Sequence, residues 1–418
     1  MQKKKSLFLT TYLSIFLLWL GLGINNNISD MLFWVHTTKL TIMFEWFFIL
    51  LYINLFKSFP PLHLLWKKHR FIMLIALLWL ISISVSFFLS PYYNWQNELA
   101  LMRFTETLSH LFFFIFLWDF FNKNEVNYSM LFISLILSAF IVLTYLIYLH
   151  YAYPDLQMSN YSIKIDSKHF VLNTQFRRIG YLLEVAIIFT FAFLFLKKYH
   201  YIAAIAIGIL FFSLLAIGGR AALFGTLLAF IIYFFSLKKY ISLKIFLTFV
   251  IFIGLILSIV LYFNFLNIDY FIYDINRTIQ ATSFNKMTEG RIEVWSSVLQ
   301  QLEGQWPIGA GPQSYFFYPG RVVRGVKVIH AHNFILQFLG EWGIVGTLLF
   351  LTLLYRAVRY GITLHLHSAP NQERYHLAAG VAIISLSLTG LFGGIYFFPQ
   401  TSVYLIFCFA LWITPSKA

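Results

Sequence analysis

The chain has 418 residues, of which 60% are hydrophobic and 20% aromatic, while only 11% are charged; its mean hydropathy is +0.76. A soluble domain is nearer one-half apolar and about one-quarter charged, so the composition points to a polytopic membrane protein. The net charge of +14 does not indicate nucleic acid, because the basic residues are scattered between apolar runs and not gathered on one soluble domain.

Apolar stretches of spanning length fall near residues 7–22, 40–56, 71–89, 101–121, 130–149 and 179–196, then 201–217, 221–235, 245–265, 334–355, 377–397 and 403–413. At ~20 residues per crossing these predict about twelve transmembrane helices. Alternating strand-like patterns are absent, and a lipid core without water demands helices. Lys3, Lys4 and Lys5 precede the first apolar run without a small-residue cleavage site, so that run reads as a helix and not as a signal peptide. The single cysteine, Cys408, excludes an intrachain disulfide and a cysteine-cluster metal site.

Charge sets the expected orientation. With the N-terminus in the cytoplasm, the cytoplasmic connections carry Lys57, Lys67, Lys68, Arg70, Lys123, Lys197, Lys198, Lys238, Lys239, Lys244, Arg356, Arg359 and Arg374, and both termini lie inside. Two outside connections break the pattern. Residues 151–178 carry Lys164, Lys168, Arg177 and Arg178; residues 266–332 carry Arg277, Lys286, Arg291, Arg321, Arg324 and Lys327. A loop as long as the second is functional or disordered. Its repeated apolar and aromatic residues favour a structured cap inserted between the ninth and tenth spans of one integral membrane domain, 1–418. Within it, Arg291–Leu302 has helical spacing, with Ile292, Trp295, Leu299 and Leu302 on one face.

The chemistry-bearing residues concentrate in and around this loop. Val328-Ile329-His330-Ala331-His332-Asn333 runs from the loop into an apolar helix. An imidazole at a membrane boundary exchanges protons near neutral pH. Asn333, Gln337 and Glu341 recur every four residues on one helix face. Gly309 and Gly311 suit a tight turn. Other roles compete for each residue. The histidines can anchor a helix end or, with a third ligand, hold a metal; Arg220 can be a snorkelling flank; Arg291 can pair with Glu289 or Glu293; the Asn333–Gln337–Glu341 stripe can hold helices together. Glu45, Arg103, Glu106 and Glu184, in or at spans, are either functional or paired with one another.

Taken together, Gly218-Gly219-Arg220, Glu289-Gly290-Arg291…Trp295, Trp306-Pro307-Ile308-Gly309-Ala310-Gly311, His330-Ala331-His332-Asn333 and Gly340-Glu341-Trp342-Gly343-Ile344-Val345-Gly346 resemble the O-antigen ligase family. Its wider superfamily includes polysaccharide polymerases and protein O-oligosaccharyltransferases. The similarity covers roughly residues 218–346; Gly219 stands where family members often carry serine. The resemblance implies an all-α, GT-C-like glycosyltransferase of the bacterial inner membrane with a periplasmic active site. It implies transfer of a glycan from undecaprenyl pyrophosphate to a sugar hydroxyl, in ligases one on the lipid A core. His332 is then the base or orienting group at the acceptor hydroxyl, and Arg220 and Arg291 hold the donor pyrophosphate. The sequence itself adds His330 for orientation, Arg321 and Arg324, which immediately precede the histidines and can meet anionic phosphates, and Asn333 and Glu341 as supporting residues on the helix face. No metal and no cofactor is expected. The expected partners are the lipid-linked donor, the glycan acceptor and membrane lipids, with no nucleic acid. A polymerase of the same superfamily is the alternative reading. A lipid-linked glycan transporter is a third, but transporters place sites near the bilayer midplane in repeated halves.

Overall fold

The computed structural model describes residues 2–23, 33–92, 94, 96–152, 158–159, 162–163, 176–194, 196, 198–217, 219–236, 291–323, 326–365 and 370–415. The long helices in chain order are α1 (Gln2–Leu22), α2 (Phe33–Phe56), α3 (Leu62–Phe88), α4 (Glu98–Lys123), α5 (Tyr128–Ala152), α6 (Phe176–Leu194), α7 (His200–Ala216) and α8 (Arg220–Ser236). The cap contributes α9 (Arg291–Gln301) and the one-turn α10 (Ser314–Phe317); α11 (Phe334–His365), α12 (Pro370–Gly390) and α13 (Pro399–Trp412) close the bundle. Two short antiparallel ribbons, 158–159 with 162–163 and 322–323 with 326–327, are the strands among the described residues.

Six of these helices, α1 to α5 and α11, are long and apolar enough to cross a membrane, and α7, α8 and α13 are shorter apolar helices. The count therefore falls short of the twelve expected spans among the described residues. Two physical reasons are visible. At 1.5 Å per residue, the 14 residues of α13 cover about 21 Å, less than the ~30 Å hydrocarbon core. The expected span 377–397 stops at Gly390 and continues as a 3-10 turn, Ile395–Phe397, because hydropathy registers apolar character and not the Gly393–Gly394 break. The expected span 245–265 and the first part of the cap, 266–290, lie outside the described residues.

Helix α6 is the hub. From Arg178 to Leu194 every side chain is buried, as expected of a helix apolar on all sides. It packs on α5, α7, α8 and α12; Phe189 stacks on Phe132 of α5 at 3.9 Å between ring centroids. Its one acid, Glu184, accepts from Ser385 and Thr389 of α12. Around this hub α1 pairs with α5, α2 with α4, α3 with α11, and α13 with α4 and α12. The starts of α6 and α8 are neighbours: a Cβ on Gly219 would lie 3.9 Å from the Gly180 Cα, an ordinary contact.

Candidate active site

The site begins with a break in a helix. At Gly343 the backbone of α11 leaves helical geometry, with φ 66° and ψ −175°, a region open essentially to glycine alone. Broken helices strand carbonyls and amides, which a membrane interior cannot satisfy with water. The cap fills the gap. The Ala310 and Gly311 amides donate to the carbonyls of Gly340 and Glu341, both at 2.9 Å. The Ile344 amide donates to Trp306 O at 2.8 Å and the Val345 amide to Pro307 O at 3.3 Å. Ser86 of α3 also donates to Glu341 O. Gly309 and Gly311 have φ of 73° and 94°, the tight turn expected of them. A Cβ at Gly309 would stand 2.3 Å from the Gly343 amide nitrogen, so glycine on both sides is what allows the interlock.

The histidine loop hangs on the same helix. Asn333 caps α11, its side-chain oxygen accepting from the Leu336 amide at 3.1 Å. Gln337 accepts from the Ala331 amide at 2.9 Å and donates to Glu341. Thus three polar residues read as one helix face tie the loop to the break. The Trp295 indole of α9 donates to Ala331 O at 3.1 Å, and one turn before it, about 6 Å along the helix, stands Arg291. His332 takes a left-handed φ of 54°, uncommon outside glycine. It packs against the buried His330, ring centroids 3.9 Å apart, and its amide donates to His330 Nδ1 at 3.2 Å. The two rings share a recess with Asn333, Gln337, Gly393, Gly394 and Tyr396.

Behind His330 stand two successive phenylalanines. Phe397 lies 4.7 Å from the imidazole at 30° and Phe398 meets it edge-on at 5.8 Å. Each carries an arginine: the Arg103 guanidinium sits 4.7 Å over the Phe397 ring and that of Arg178 4.7 Å over Phe398, a distance at which cation–π attraction operates. Arg103 is fully engaged. It donates to Gln313 Oε1 at 3.0 Å, to Glu106 at 2.5 Å and to the Phe397 carbonyl. Beyond Glu106 the polar chain runs to His110, 3.8 Å from it, and on to Glu45 at 2.7 Å. Two of the acids and the arginine seen in the spans are therefore partners of one another or of a span histidine. A cleft of about 220 Å³ opens beside this chain, between α3, α4, α11 and α13, and shares Gln337, Tyr396 and Phe397 with the histidine recess.

The structure thus brings together His330, His332, Asn333, Gln337 and Glu341, while Arg291 opens α9, four residues before Trp295. Arg220 opens α8 beside the start of α6. Arg324 and the Arg321 side chain lie outside the described residues. One expectation is corrected. In α9 the buried residues are Val294, Ser297, Val298 and Gln301; of the expected face Leu302, just past the helix, is buried and Leu299 is 41% exposed. The helix turns a mixed face inward, where Ser297 bonds the Tyr315 hydroxyl at 2.6 Å and the Gln301 amide donates to the Ser314 hydroxyl at 2.8 Å, partners that periodicity does not register. Sequence reasoning also missed Gln313, Phe397 and Phe398. The φ of 62° at Gln313 has no sequence mark, and the phenylalanines are two among 49. Among the described residues no group of three His, Cys, Asp or Glu side chains could hold a metal ion.

Residues 205–351 match a family model described as O-Antigen ligase, a segment that contains Arg220, the cap and the broken half of α11. No curated protein matches the chain.

Proposed function

Starting from a chain whose residues 205–351 carry the O-antigen ligase family domain, we propose that it is a metal-independent glycosyltransferase. It moves a glycan from undecaprenyl pyrophosphate to a sugar hydroxyl at the periplasmic face of the bacterial inner membrane, most directly onto the lipid A core. Its termini are cytoplasmic, and residues 266–332 form a periplasmic cap. The observation that carries this reading is the paired His330 and His332, held at contact distance in a small recess at the mouth of α11.

The reaction needs two things. The acceptor hydroxyl has a very high pKa and gains from a base that takes its proton as attack proceeds, an effect worth about 10²–10⁴-fold. His332, half-buried and presented by a left-handed backbone, is that base; His330, clamped between its partner and two phenylalanines, orients it. As the acceptor oxygen bonds the anomeric carbon, the bond from that carbon to the pyrophosphate oxygen breaks, and undecaprenyl pyrophosphate leaves with the electron pair. Arginines neutralise that charge with planar, permanently charged donors. Arg220 and Arg291 serve here, and Arg321 and Arg324 follow in the cap sequence. Arg178, over Phe398 on the far side of His330, is a further candidate. Asn333 and Glu341 hold the loop by the bonds described above.

The test is reconstitution. Purified protein, synthetic donor and a glycan acceptor should yield glycosylated acceptor and undecaprenyl pyrophosphate in equal amounts, with a chelator present. Donor hydrolysis without acceptor glycosylation, or loss of turnover in chelator, contradicts the reading. A strain lacking the protein separates ligase from polymerase: loss of ligation leaves polymerised glycan on its carrier, loss of polymerisation leaves core bearing at most one unit.

A further inference from the structure

The cleft beside the histidine recess has the wrong chemistry for a pyrophosphate and the right chemistry for a sugar. Each nitrogen of its one arginine, Arg103, already donates within the protein, to Gln313, Glu106 and the Phe397 carbonyl. Glu106 is neutralised by Arg103, and Glu341, the other carboxyl group of the lining, disfavours a further negative charge beside it. Four lining residues each keep a buried polar atom without a hydrogen-bond partner: Trp79 Nε1, Glu106 Oε1, His110 Nε2 and Gln313 Nε2. His110 Nε2 and Glu106 Oε1 stand 3.8 Å apart, beyond hydrogen-bond length. Buried polar groups are normally satisfied, and such a set marks where a ligand or ordered water belongs. It mixes two N–H donors with a carboxylate acceptor, which suits hydroxyl groups, since each hydroxyl both donates and accepts. Aromatic faces complete the walls. Trp79 meets Trp342 edge-on at 5.4 Å, and Trp342 stacks on Phe338 at 4.0 Å. Gln313 is 1% exposed, and its left-handed backbone aims the amide from the cap into the cleft beside Arg103.

We infer that this cleft is the acceptor subsite and takes a neutral, hydroxyl-bearing glycosyl unit, rejecting an anionic one. The inference rests on the acceptor-hydroxyl reading above, and it adds the residues and charge class that select the acceptor. The shared wall of Gln337, Tyr396 and Phe397 puts a sugar in the cleft next to the histidines.

The experiment reads occupancy without turnover, so it succeeds or fails independently of His332. Thr107 lines the cleft, is half-buried, and bonds only back to its own helix at Arg103 O. Thr107→Cys in a Cys408→Ala background, in nanodiscs, is alkylated with a small neutral reagent. Hexyl β-glucoside should slow alkylation about tenfold or more, whereas hexyl β-glucuronide and hexanol at equal concentration should not, since a second negative charge beside the buried Glu341 is disfavoured and hexanol lacks the sugar hydroxyls. Gln313→Asn keeps a residue tolerant of the left-handed backbone but shortens the amide, and should remove most of the protection. Equal protection by the glucuronide overturns the charge selection. Equal protection by hexanol makes the cleft a groove for an apolar chain. Full protection in Gln313→Asn removes the hydroxyl recognition.

Discussion

The two ends of the helix bundle are built on different rules. At the end away from the cap, regular helices finish in simple ties: Lys5 reaches Leu55 O at 2.5 Å, Ser6 reaches Glu125 O at 2.6 Å, and Lys3 stands 3.7 Å from Glu125 with both side chains exposed. At the cap end a helix is broken at Gly343 and charged side chains are buried in a connected chain from Arg103 to Glu45; left-handed φ at non-glycine residues occurs at both ends, at Lys57 just past α2 and at Gln313 and His332. Left-handed geometry costs about 1–3 kcal/mol per residue and persists only where the surroundings enforce it. The end away from the cap is therefore held by local ties between regular helices, and the cap end gives up helical regularity at Gly343 to receive the cap.

The sharpest way to break that contrast is at the interlock. Gly343→Ala would force a Cβ within 2.4 Å of the Gly309 amide nitrogen and 2.5 Å of Pro307 O at a φ of 66°. Backbone lies on both sides, so nothing flexible can yield. We expect a loss of about 3 kcal/mol or more, measured by thermal unfolding in detergent, together with loss of transfer. Next in size are Arg220→Ala and Arg291→Ala. Losing a charged hydrogen bond to phosphate costs about 1.5–3 kcal/mol, so kcat/KM for the donor should fall roughly ten- to a hundredfold with membrane insertion unchanged. Wild-type donor kinetics in both variants would return these arginines to the fold. Gly304→Ala is the control for the interlock. Its φ is 79° but nothing lies within 4 Å of a new Cβ, so only the backbone term remains, about 1–2 kcal/mol; a loss equal to that of Gly343→Ala would show that the contacts at the break carry no weight. Smallest of all, Lys3→Ala at the opposite end should change neither melting temperature nor transfer, because an exposed ion pair is screened by water.

How much of this was legible in the sequence depended on the range of the interactions. The turn at Gly309–Gly311 and the Asn333–Gln337–Glu341 face are set by residues within a few positions, and their spacing announces them. The Arg103 hub joins residues 210 and 294 positions apart, and no local pattern links a span arginine to Gln313 or Phe397. The α9 face was misread for a related reason: Ser297 and Gln301 become interior only once Tyr315 and Ser314 are folded against them. Likewise the end of α12 at Gly390 depends on the packing around Gly393 and Gly394, where a Cβ would meet the Tyr181 hydroxyl at 2.4 Å and the His330 ring at 2.7 Å.

The central claim is that this irregular end positions a catalytic base, and one comparison tests it most directly. Wild type, His330→Ala and His332→Ala are purified, matched for melting temperature, and assayed with saturating synthetic donor and acceptor. We expect His332→Ala to lose transfer by about a hundredfold or more, with KM for the donor little changed, and His330→Ala to lose less. Turnover by His332→Ala within a few-fold of wild type would contradict the account.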